Sequence, residues 1–265
     1  MKTKSWLAIG ACALFSLSAA AQDVTLTRLD CGNGSNDPRR FSDTYAYTET
    51  TKPFTFSCYV IRHGSDVMVW DTGYLPGSVP SATNPPLADL LKQININPDD
   101  VKYVGISHFH ADHTGQLAAL RNATLLIGKS DWDGITASPP ASGANVKGFE
   151  AWIAEKRKVE PQSMDKDVFG DGSVTILRAP GHTAGHSMLL VRLKEMGPVI
   201  LSGDAVHFRE NFENEGVPGF NHDRAQTLAS IQRIKQIQKN LKATLIIQHD
   251  PRDIGRLPAF PASAK

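Results

Sequence analysis

The 265-residue chain predicts a layered α/β fold, and three observations indicate it. Short apolar runs rich in β-branched residues alternate with segments of helical periodicity along most of the chain. Hydrophobic residues make up 41% of the sequence, which is enough to build a sizeable core. No internal repeat is apparent. This alternation favours an α/β architecture over a helical bundle or a β-sandwich.

The first 21 residues resemble a secretory signal peptide. Two lysines precede the apolar run Trp6–Leu17, and Ala19–Ala21 fits the small-residue pattern of a cleavage site. The run is shorter than the roughly 20 residues that a membrane-spanning helix needs, which disfavours a membrane anchor. We therefore expect residues 1–21 to be removed and the mature chain, beginning near Gln22, to be exported to the periplasm or secreted.

The charge of the mature chain points away from polyanionic partners. Loss of Lys2 and Lys4 with the signal peptide lowers the formal net charge from +1 to −1. No basic run stands out in the remainder. We therefore expect no nucleic-acid partner and, after signal cleavage, no membrane association.

Two cysteines, Cys31 and Cys58, remain after Cys12 leaves with the signal peptide. An exported compartment would allow them to pair. The sequence does not show whether the two sulfur atoms meet, so a disulfide stays an open alternative. Neither cysteine belongs to a Cys-x-x-Cys motif, which leaves zinc-finger and thioredoxin-like sites without support.

The first half of the chain is predicted to contain a hairpin followed by alternating helices and strands. Residues 31–51 are rich in Gly, Asn, Asp, Ser and Thr and predict a loop. Phe54–Arg62 and Asp66–Trp70 predict two strands joined by a turn. Pro85 and Pro86 begin a helix with one leucine-rich face. The other predicted elements are a strand over Val101–Ser107, a helix over Thr114–Leu120 and a strand over Ala123–Ile127.

The second half is predicted to contain three consecutive strands, a long helix and a last strand. Residues 129–172 are less regular, apart from an amphipathic segment over Phe149–Val159. From about Asp223 to Leu241, apolar residues recur every three positions, which predicts the helix. The tail after Pro251 is Pro-rich and predicted to be irregular. The predicted strands are Ser173–Arg178, Ser187–Leu193, Val199–Leu201 and Ala243–Ile247.

The strongest functional signal is a hexapeptide directly after the strand predicted over Val101–Ser107. It holds three histidines and one aspartate, namely His108, His110, Asp112 and His113. Imidazole suits zinc, copper, iron and nickel, and carboxylate adds a hard oxygen donor. The hexapeptide therefore predicts a metal-binding loop at the end of a strand.

Three later strand ends supply further candidate ligands, namely His182, Asp204 and His249. With the hexapeptide they make five histidines and two aspartates. One four- or five-coordinate ion cannot use seven ligands, whereas two ions that share a bridging carboxylate can. Two ions about 3.5–4 Å apart are a known hydrolytic arrangement. The sequence therefore predicts a dinuclear site that keeps positions open for water and substrate.

The motif order His-x-His-x-Asp-His, Gly-His-Thr, Gly-Asp and a late histidine resembles the metallo-β-lactamase superfamily over about residues 58–250. The resemblance implies one domain over residues 22–265, folded as an αββα sandwich of two mixed β-sheets flanked by helices. It assigns His108, His110 and His182 to the first ion. It assigns Asp112, His113 and His249 to the second, with Asp204 bridging. Zinc is the default metal, and iron, manganese or cobalt fit the same ligands.

Within that superfamily, residues 203–214 and 230–235 are similar to the N-acyl-homoserine lactonases. The resemblance implies a metal-dependent hydrolase of ester bonds with a small-molecule lactone substrate and a quorum-quenching role. A hydroxide held between the two ions would attack the lactone carbonyl, and Asp112 would also shuttle a proton. Those lactonases commonly have a tyrosine three residues after the bridging aspartate. Here the position holds His207, which we expect to donate to the developing oxyanion.

Two other interpretations stay open. Another hydrolase of the same superfamily would cleave an aryl ester, a phosphotriester or a glutathione thioester, although the short tail does not obviously supply a basic glutathione-binding region. A non-catalytic protein on a degenerate hydrolase fold would lack a ligand, and none is missing. The oligomeric state also stays open, a homodimer included.

Several residues are predicted to support the site. We expect Asp71, in an Asp-Thr-Gly turn, to accept a hydrogen bond from a ligating histidine, the alternative being a simple turn residue. His186 is predicted to support the site without binding metal, and His63 and His222 to be structural or solvent-facing. Candidate linings of an acyl-chain pocket, with a core role as the alternative, are Trp132, Phe149, Trp152, Phe208, Phe212 and Phe220.

Overall fold

The computed structural model describes residues 23–79 and 83–265. The predicted signal peptide, residues 1–21, lies outside these ranges. Two β-sheets stack face to face, and helices cover their outer faces. The αββα sandwich implied by the resemblance is therefore confirmed. Within the described ranges, no helix combines the length and the apolarity needed to cross a membrane.

The first sheet has six strands in the order β1-β2-β3-β4-β5-β6. Their bounds are β1 Val24–Asn36, β2 Lys52–His63, β3 Asp66–Trp70, β4 Tyr103–Gly105, β5 Thr124–Gly128 and β6 Val159–Gln162. Strands β1 to β3 pair antiparallel, and β3 to β6 pair parallel. The parallel strands point their carboxyl ends toward one edge of the sheet.

The second sheet has five strands in the order β11-β10-β9-β8-β7. Their bounds are β7 Lys166–Asp167, β8 Val174–Arg178, β9 Ser187–Leu193, β10 Gly197–Leu201 and β11 Thr244–Ile246. Only β10 and β11 are parallel. Both sheets are mixed, as predicted, and four of these strands match predicted ones to within a few residues.

Six α-helices within the described residues complete the layers. Their bounds are α1 Leu87–Gln93, α2 Ala111–Thr114, α3 Lys129–Thr136, α4 Glu150–Ala154, α5 Arg209–Asn214 and α6 Arg224–Leu241. The long helix predicted from about Asp223 is confirmed as α6. The Asp223 side chain caps it by accepting a hydrogen bond from the backbone N–H of Gln226.

Three buried clusters hold the layers together. Tyr59, Trp70 and Leu189 pack between the two sheets. Ile231 and Ile234 of α6 pack on the outer face of the second sheet. A third cluster joins the first sheet to α1, α3 and α4. Because side chains alternate along a strand, each sheet buries both of its faces.

The loop predicted over residues 31–51 is wrong in its first part, because β1 continues to Asn36. The strand continues because its backbone pairs with β2 beyond a register shift between Asp30 and Asn33. Cys31 and Cys58 face each other across this pairing and form a disulfide. The alternative left open by the sequence is thereby decided in favour of the bond.

The helix predicted over Thr114–Leu120 is also wrong. Helix α2 ends at Thr114, and a separate 3₁₀ turn spans Leu117–Leu120. Between them the N–H of Gly115 donates to the carbonyl of Gly73 (2.8 Å). A β-carbon at Gly115 would lie 2.3 Å from the nitrogen of Leu75. Close packing against residues 73–75 therefore breaks the helix.

Three elements of the segment predicted to be less regular, α3, β6 and β7, were missed. The tail after Pro251 is more ordered than predicted. A 3₁₀ helix spans Pro251–Arg256, and Ala264 pairs with Leu26 at the free edge of β1. These segments have little periodicity of their own and are shaped by packing against the sheets.

Candidate metal centre

The seven predicted ligands come together at one end of the sandwich. The hexapeptide follows β4 and opens α2, while His182 follows β8, Asp204 follows β10 and His249 follows β11. The structure divides them into two groups that share Asp204. The first is His108, His110, His182 and Asp204, and the second is Asp112, His113, Asp204 and His249. Within each group the candidate ligand atoms all lie within 4.8 Å of one another.

Each carboxylate oxygen of Asp204 faces one group. Oδ2 lies 3.3 Å from Nε2 of His182 and 3.7 Å from Nε2 of His108. Oδ1 lies 2.8 Å from Nε2 of His249 and 3.2 Å from Nε2 of His113. Although buried, Oδ1 accepts no hydrogen bond from the described residues. An unsatisfied buried carboxylate oxygen is costly, and a bound cation would satisfy it.

The ring nitrogens of the first group also converge. Nδ1 of His110 lies 2.9 Å from Nε2 of His108 and 3.1 Å from Nε2 of His182. Burial, reinforced by the neighbouring histidines, holds the pKa of His108 and of His182 well below the usual range. Both imidazoles are therefore neutral, which is the form that binds metal. The donor set fits a divalent ion of the zinc type.

The second group contains more negative charge. Burial opposes protonation of His113, but Asp112, Asp204 and Asp71 outweigh it and raise the pKa of His113 well above its usual value. Burial likewise opposes the ionised form of Asp204, yet the surrounding histidines hold the pKa of that carboxyl well below its usual range. A cation here would take the place of the proton that the carboxylates attract to His113.

Asp71 lies behind the second group, as expected. Its carboxylate accepts hydrogen bonds from Nδ1 of His113 (2.8 Å), from the backbone N–H and hydroxyl of Ser107, and from the amide of Gln248 (2.8 Å). These bonds fix the His113 ring so that its Nε2 faces Asp204. Such carboxylate–histidine pairs orient metal ligands in proteins. Gln248 was missed because a buried glutamine beside a predicted ligand has no signature of its own.

Two other candidate ligands are oriented in the same way. Nδ1 of His249 donates to the carbonyl of Thr55 (2.8 Å), and Nδ1 of His182 pairs with Oδ1 of Asn221 (3.1 Å). Sequence reasoning missed both partners, because each lies far from its histidine along the chain. Their hydrogen bonds leave Nε2 of each ring free to face the candidate metal position.

His186 holds the backbone of Asp204 in place by a hydrogen bond. Its Nδ1 donates to the carbonyl of Ala179 (2.9 Å), so its Nε2 accepts from the backbone N–H of Asp204 (2.8 Å). Burial lowers the pKa of His186 to about 4, so the ring is neutral near pH 7. His186 belongs to neither candidate ligand group. The geometry agrees with the supporting role predicted for it.

Asp131, which sequence reasoning missed, fixes the loop that carries His182. It is fully buried at the start of α3 and accepts hydrogen bonds from the Thr183 hydroxyl (2.7 Å) and the Gly185 N–H (2.6 Å). Burial raises its pKa to about 6. The only available signal was an aspartate just after a strand, which is too common to single out.

His207 lies against the shared carboxylate. Its Nε2 is 3.1 Å from Oδ2 of Asp204, and its ring lies between Phe41 and His249, at 4.6 and 5.7 Å between ring centroids. The side chain is almost completely buried, and its Nδ1 makes no hydrogen bond with the described residues. His207 therefore contacts the candidate ligand group directly.

The remaining two histidines have other roles. His63 stacks on Phe169, with 4.2 Å between ring centroids, and pairs with Asp171 (2.8 Å), so it is structural. His222 is exposed to solvent. Both positions agree with the sequence interpretation.

A cavity of about 300 Å³ opens over the two ligand groups. Both aromatic and polar residues line it. The lining residues beyond the candidate ligands and His207 are Asn36, Arg40, Phe41, Phe54, Phe56, Tyr74, Ala111, Gly143 and Phe220. This is an open, partly apolar pocket in which a small substrate can reach the shared carboxylate.

Of the six aromatic residues predicted to line an acyl-chain pocket, only Phe220 does so. Phe149, Trp152 and Phe208 are buried in the core of the first sheet, and Trp132 packs against that core. Phe212 packs against the α6 cluster. The aromatic walls come mostly from Phe41, Phe54, Phe56 and Tyr74, on or near β1, β2 and β3, which the folded chain brings over the site.

Comparison with known proteins gives the family. The model of the metallo-beta-lactamase superfamily matches residues 52–249. N-acyl homoserine lactonase AttM from Rhizobium radiobacter is 34% identical over 166 residues, which cover 62% of this chain and 63% of the relative. An N-acyl homoserine lactonase from a Bacillus species is 31% identical over 179 residues, or 66% of each chain. The matches thus span somewhat under two thirds of these curated relatives.

A solved structure agrees in fold. The crystal structure of a quorum-quenching N-acyl homoserine lactone hydrolase superposes with a TM-score of 0.79 at 23% identity, and the match covers 92% of this chain and 99% of that one. The fold, the order of the motifs and the family match all agree. The chain belongs to the metallo-β-lactamase superfamily.

Proposed function

We propose that this protein is a dinuclear metal hydrolase that opens the lactone ring of N-acyl homoserine lactones, and so quenches quorum signals. One observation carries the proposal: each oxygen of Asp204 faces a separate histidine-rich group at the base of an open pocket. Relatives named N-acyl homoserine lactonases, at 31–34% identity, support the choice of substrate.

The first group would hold one ion through His108, His110 and His182, and the second group would hold another through Asp112, His113 and His249. Zinc is the metal we propose, with iron, manganese or cobalt as alternatives for the same donors. When bound, the ions polarise the carbonyl and lower the pKa of water, so that hydroxide is available for attack near neutral pH.

Two residues of the chain would handle hydrogen bonds and protons. Oδ2 of Asp112 lies 3.4 Å from Nε2 of His113 and 3.5 Å from Nε2 of His249, and Asp112 also lines the pocket. It would carry a proton from the attacking water to the ring oxygen. Nε2 of His207, beside Oδ2 of Asp204, is placed to donate to the oxyanion that develops when substrate fills the pocket.

The pocket walls suit an acylated lactone. Phe41, Phe54, Phe56 and Phe220 offer apolar surface to the acyl chain, while Asn36 and Arg40 are polar groups for the amide. The same walls would also accept an aromatic ester, which makes aryl esters the informative competing substrates.

We also propose that the protein is exported. The disulfide between Cys31 and Cys58 supports export, because such bonds persist in oxidising compartments. N-terminal sequencing of protein recovered from the periplasm or the medium tests this proposal, and the expected first residue is Gln22. Recovery of uncleaved protein from the cytoplasm alone would contradict it.

A pH-drop assay with the zinc-loaded protein tests the substrate, since each lactone that opens releases acid. The panel contains N-acyl homoserine lactones, simple lactones, aryl esters, phosphotriesters and a glutathione thioester. We expect the acyl homoserine lactones to react fastest. Inert lactones beside rapidly cleaved esters would refute the proposal.

Two variants accompany this assay, one expected to be inactive and one expected to be fully active. Asp204→Asn removes a charge shared by both groups and should abolish both activity and full metal content. His63→Gln changes a histidine that is packed on Phe169, outside both groups, and should retain both. Full activity of Asp204→Asn would contradict the proposed site.

A further inference from the structure

We propose that Tyr74 donates a hydrogen bond from its phenol to the ring oxygen that leaves when the lactone opens. The inference rests on the proposed function and adds a substrate-contacting residue to it. Tyr74 and His207 both line the pocket, but Nε2 of His207 faces Oδ2 of Asp204, the oxygen on the side of the first group, whereas Tyr74 lies in the field of Asp112. The two donors would therefore serve different oxygen atoms of the substrate.

The position of Tyr74 is fixed by its neighbours in the chain. It follows the Asp-Thr-Gly turn, in which the Thr72 N–H donates to the carbonyl of His113 (2.8 Å) and the Gly73 carbonyl accepts from Gly115 (2.8 Å). Both hydrogen bonds hold the turn against the segment that contains His113. The backbone at Tyr74 is therefore fixed beside the second ligand group.

The ring of Tyr74 is held as well. It packs edge-on against Phe56, with 4.9 Å between centroids, and Phe56 packs edge-on against His249 at 5.7 Å. These contacts limit the ring to few orientations, which lowers the entropy cost of holding a hydroxyl at a reacting atom. A half-buried, packed phenol at the pocket wall is well placed to contact substrate.

The hydroxyl itself is free to bond a ligand. It makes no hydrogen bond to any residue in the described ranges 23–79 and 83–265, and Tyr74 is one of the residues that line the pocket. The charge of Asp112, more than burial, raises the pKa of Tyr74 above its usual value. The phenol thus lies within the field of Asp112 and stays protonated, as a donor must.

Arg40, the charged donor on the pocket wall, is less suited to this role. The Arg40 guanidinium lies over the ring of Phe220, 5.7 Å from its centroid, and its side chain is exposed. Phe220 in turn contacts His182 and His207, on the side of the first group. Tyr74 is the hydroxyl that shares the side of Asp112.

Ring opening consumes one water molecule and needs no other reactant. A hydroxide oxygen bonds to the carbonyl carbon, the bond from that carbon to the ring oxygen breaks, and the electron pair stays on the ring oxygen. The ring oxygen takes the proton that Asp112 removed from water. Tyr74 stabilises the developing charge on that oxygen through its hydrogen bond and keeps its own proton.

The test compares Tyr74→Phe with the wild type, both zinc-loaded, on two substrates with the same acyl chain. One is the homoserine lactone, and the other is the homocysteine thiolactone, whose leaving atom is sulfur. Sulfur is a weak hydrogen-bond acceptor. We expect kcat to fall on the order of 100-fold for the lactone, with little change in KM, and only a few-fold for the thiolactone.

Binding of the ring-opened product gives a second readout. That product carries the former ring oxygen as a hydroxyl, so Tyr74→Phe should bind it about 3- to 10-fold more weakly by calorimetry. Tyr45→Phe is the matched control, because it removes an exposed phenol that lies outside the pocket lining. It should behave like the wild type in both measurements.

The possible outcomes are distinct. Equal losses on lactone and thiolactone would show a structural role or contact with the carbonyl oxygen and would overturn the inference. Unchanged rates on both would overturn it too. If the wild type opens no lactone at all, the proposed function fails and the inference falls with it.

Discussion

The close contacts around Asp204 show how individual atoms set the site. Gly203 before it adopts φ +51°, and a β-carbon there would lie 2.6 Å from Nε2 of His186. That nitrogen accepts the hydrogen bond from the Asp204 backbone. A side chain at position 203 would therefore displace the contact that positions the shared carboxylate, which explains why glycine suits this turn.

Gly143 lies against the ring of His110, and replacing it tests whether His110 binds metal. A β-carbon at position 143 would lie 3.1 Å from Nε2 of His110, and the residue has φ +81°. Gly143→Ala should push the ring away from its group and weaken metal binding about 10-fold, in the range typical of groups that orient metal ligands. Competition with a chromogenic zinc chelator measures this affinity.

Gly170→Ala is the matched control for Gly143→Ala. Gly170 has nearly the same backbone angle, φ +83°, but a β-carbon there meets nothing within 4 Å. Both variants should lose similar stability from backbone strain, on the order of 1 kcal/mol. Equal zinc affinity in the two variants would contradict the proposed contact with His110.

Helix α3 supports the site through Asp131, whose carboxylate holds the His182 loop. Burial raises the pKa of Asp131 from 3.8 to about 6, although the hydrogen bonds from Thr183 and Gly185 oppose this shift. Between these values the folded chain binds more protons than the unfolded chain, so this group makes the protein less stable as the pH rises from about 4 to 6. Over this pH range the contribution of Asp131 to the free energy of unfolding should fall by about 3 kcal/mol.

Asp131→Asn should remove this pH dependence while keeping the loop in place. An asparagine can accept from the Gly185 N–H and donate to the Thr183 hydroxyl. Urea unfolding of metal-free protein should show the variant gaining stability relative to the wild type as the pH rises from 4 to 7. Asp133→Asn, an exposed carboxylate on the same helix, should follow the wild type. Parallel curves for all three proteins would refute the assignment.

At the scale of the whole molecule, the disulfide links β1 to β2 beside the site. A β-carbon at Gly73 would lie 2.9 Å from Cβ of Cys31, so the bond packs against the turn that carries Asp71. Cys31 and Cys58 are 27 residues apart. Loop-closure entropy then predicts that removing the bond lowers the free energy of unfolding by about 3–4 kcal/mol.

The double variant Cys31→Ala, Cys58→Ala measures this contribution by urea unfolding. It should be less stable than the oxidised wild type and insensitive to a reducing agent, whereas the wild type should lose stability when reduced. Equal stability of the oxidised wild type and the double variant would mean that the bond does not constrain the unfolded chain.

The sequence predicted the residues of both candidate ligand groups because the motif at His108–His113 is dense and each later candidate follows an apolar run. It also found most strands and α6, whose periodicity is strong. It failed where tertiary contacts decide the structure. Gly115 packs on residues 73–75 and breaks a helix, and β1 extends because β2 pairs with it.

The pocket walls were the least predictable part. Phe41, Phe54, Phe56 and Tyr74 reach the site only because two β-segments and the turn after β3 fold over it. The aromatic residues chosen from the sequence were mostly core residues, because burial and pocket lining leave the same apolar signal. Orienting partners such as Asn221 and Thr55 are remote in sequence and have no motif.

The most direct test is the rate of N-acyl homoserine lactone opening plotted against zinc bound per chain, starting from chelated, metal-free protein. The shared carboxylate of Asp204 predicts no activity without metal and full activity only when two ions are bound to each chain. Activity in the metal-free protein, or a rate that saturates at one ion per chain, would contradict the account.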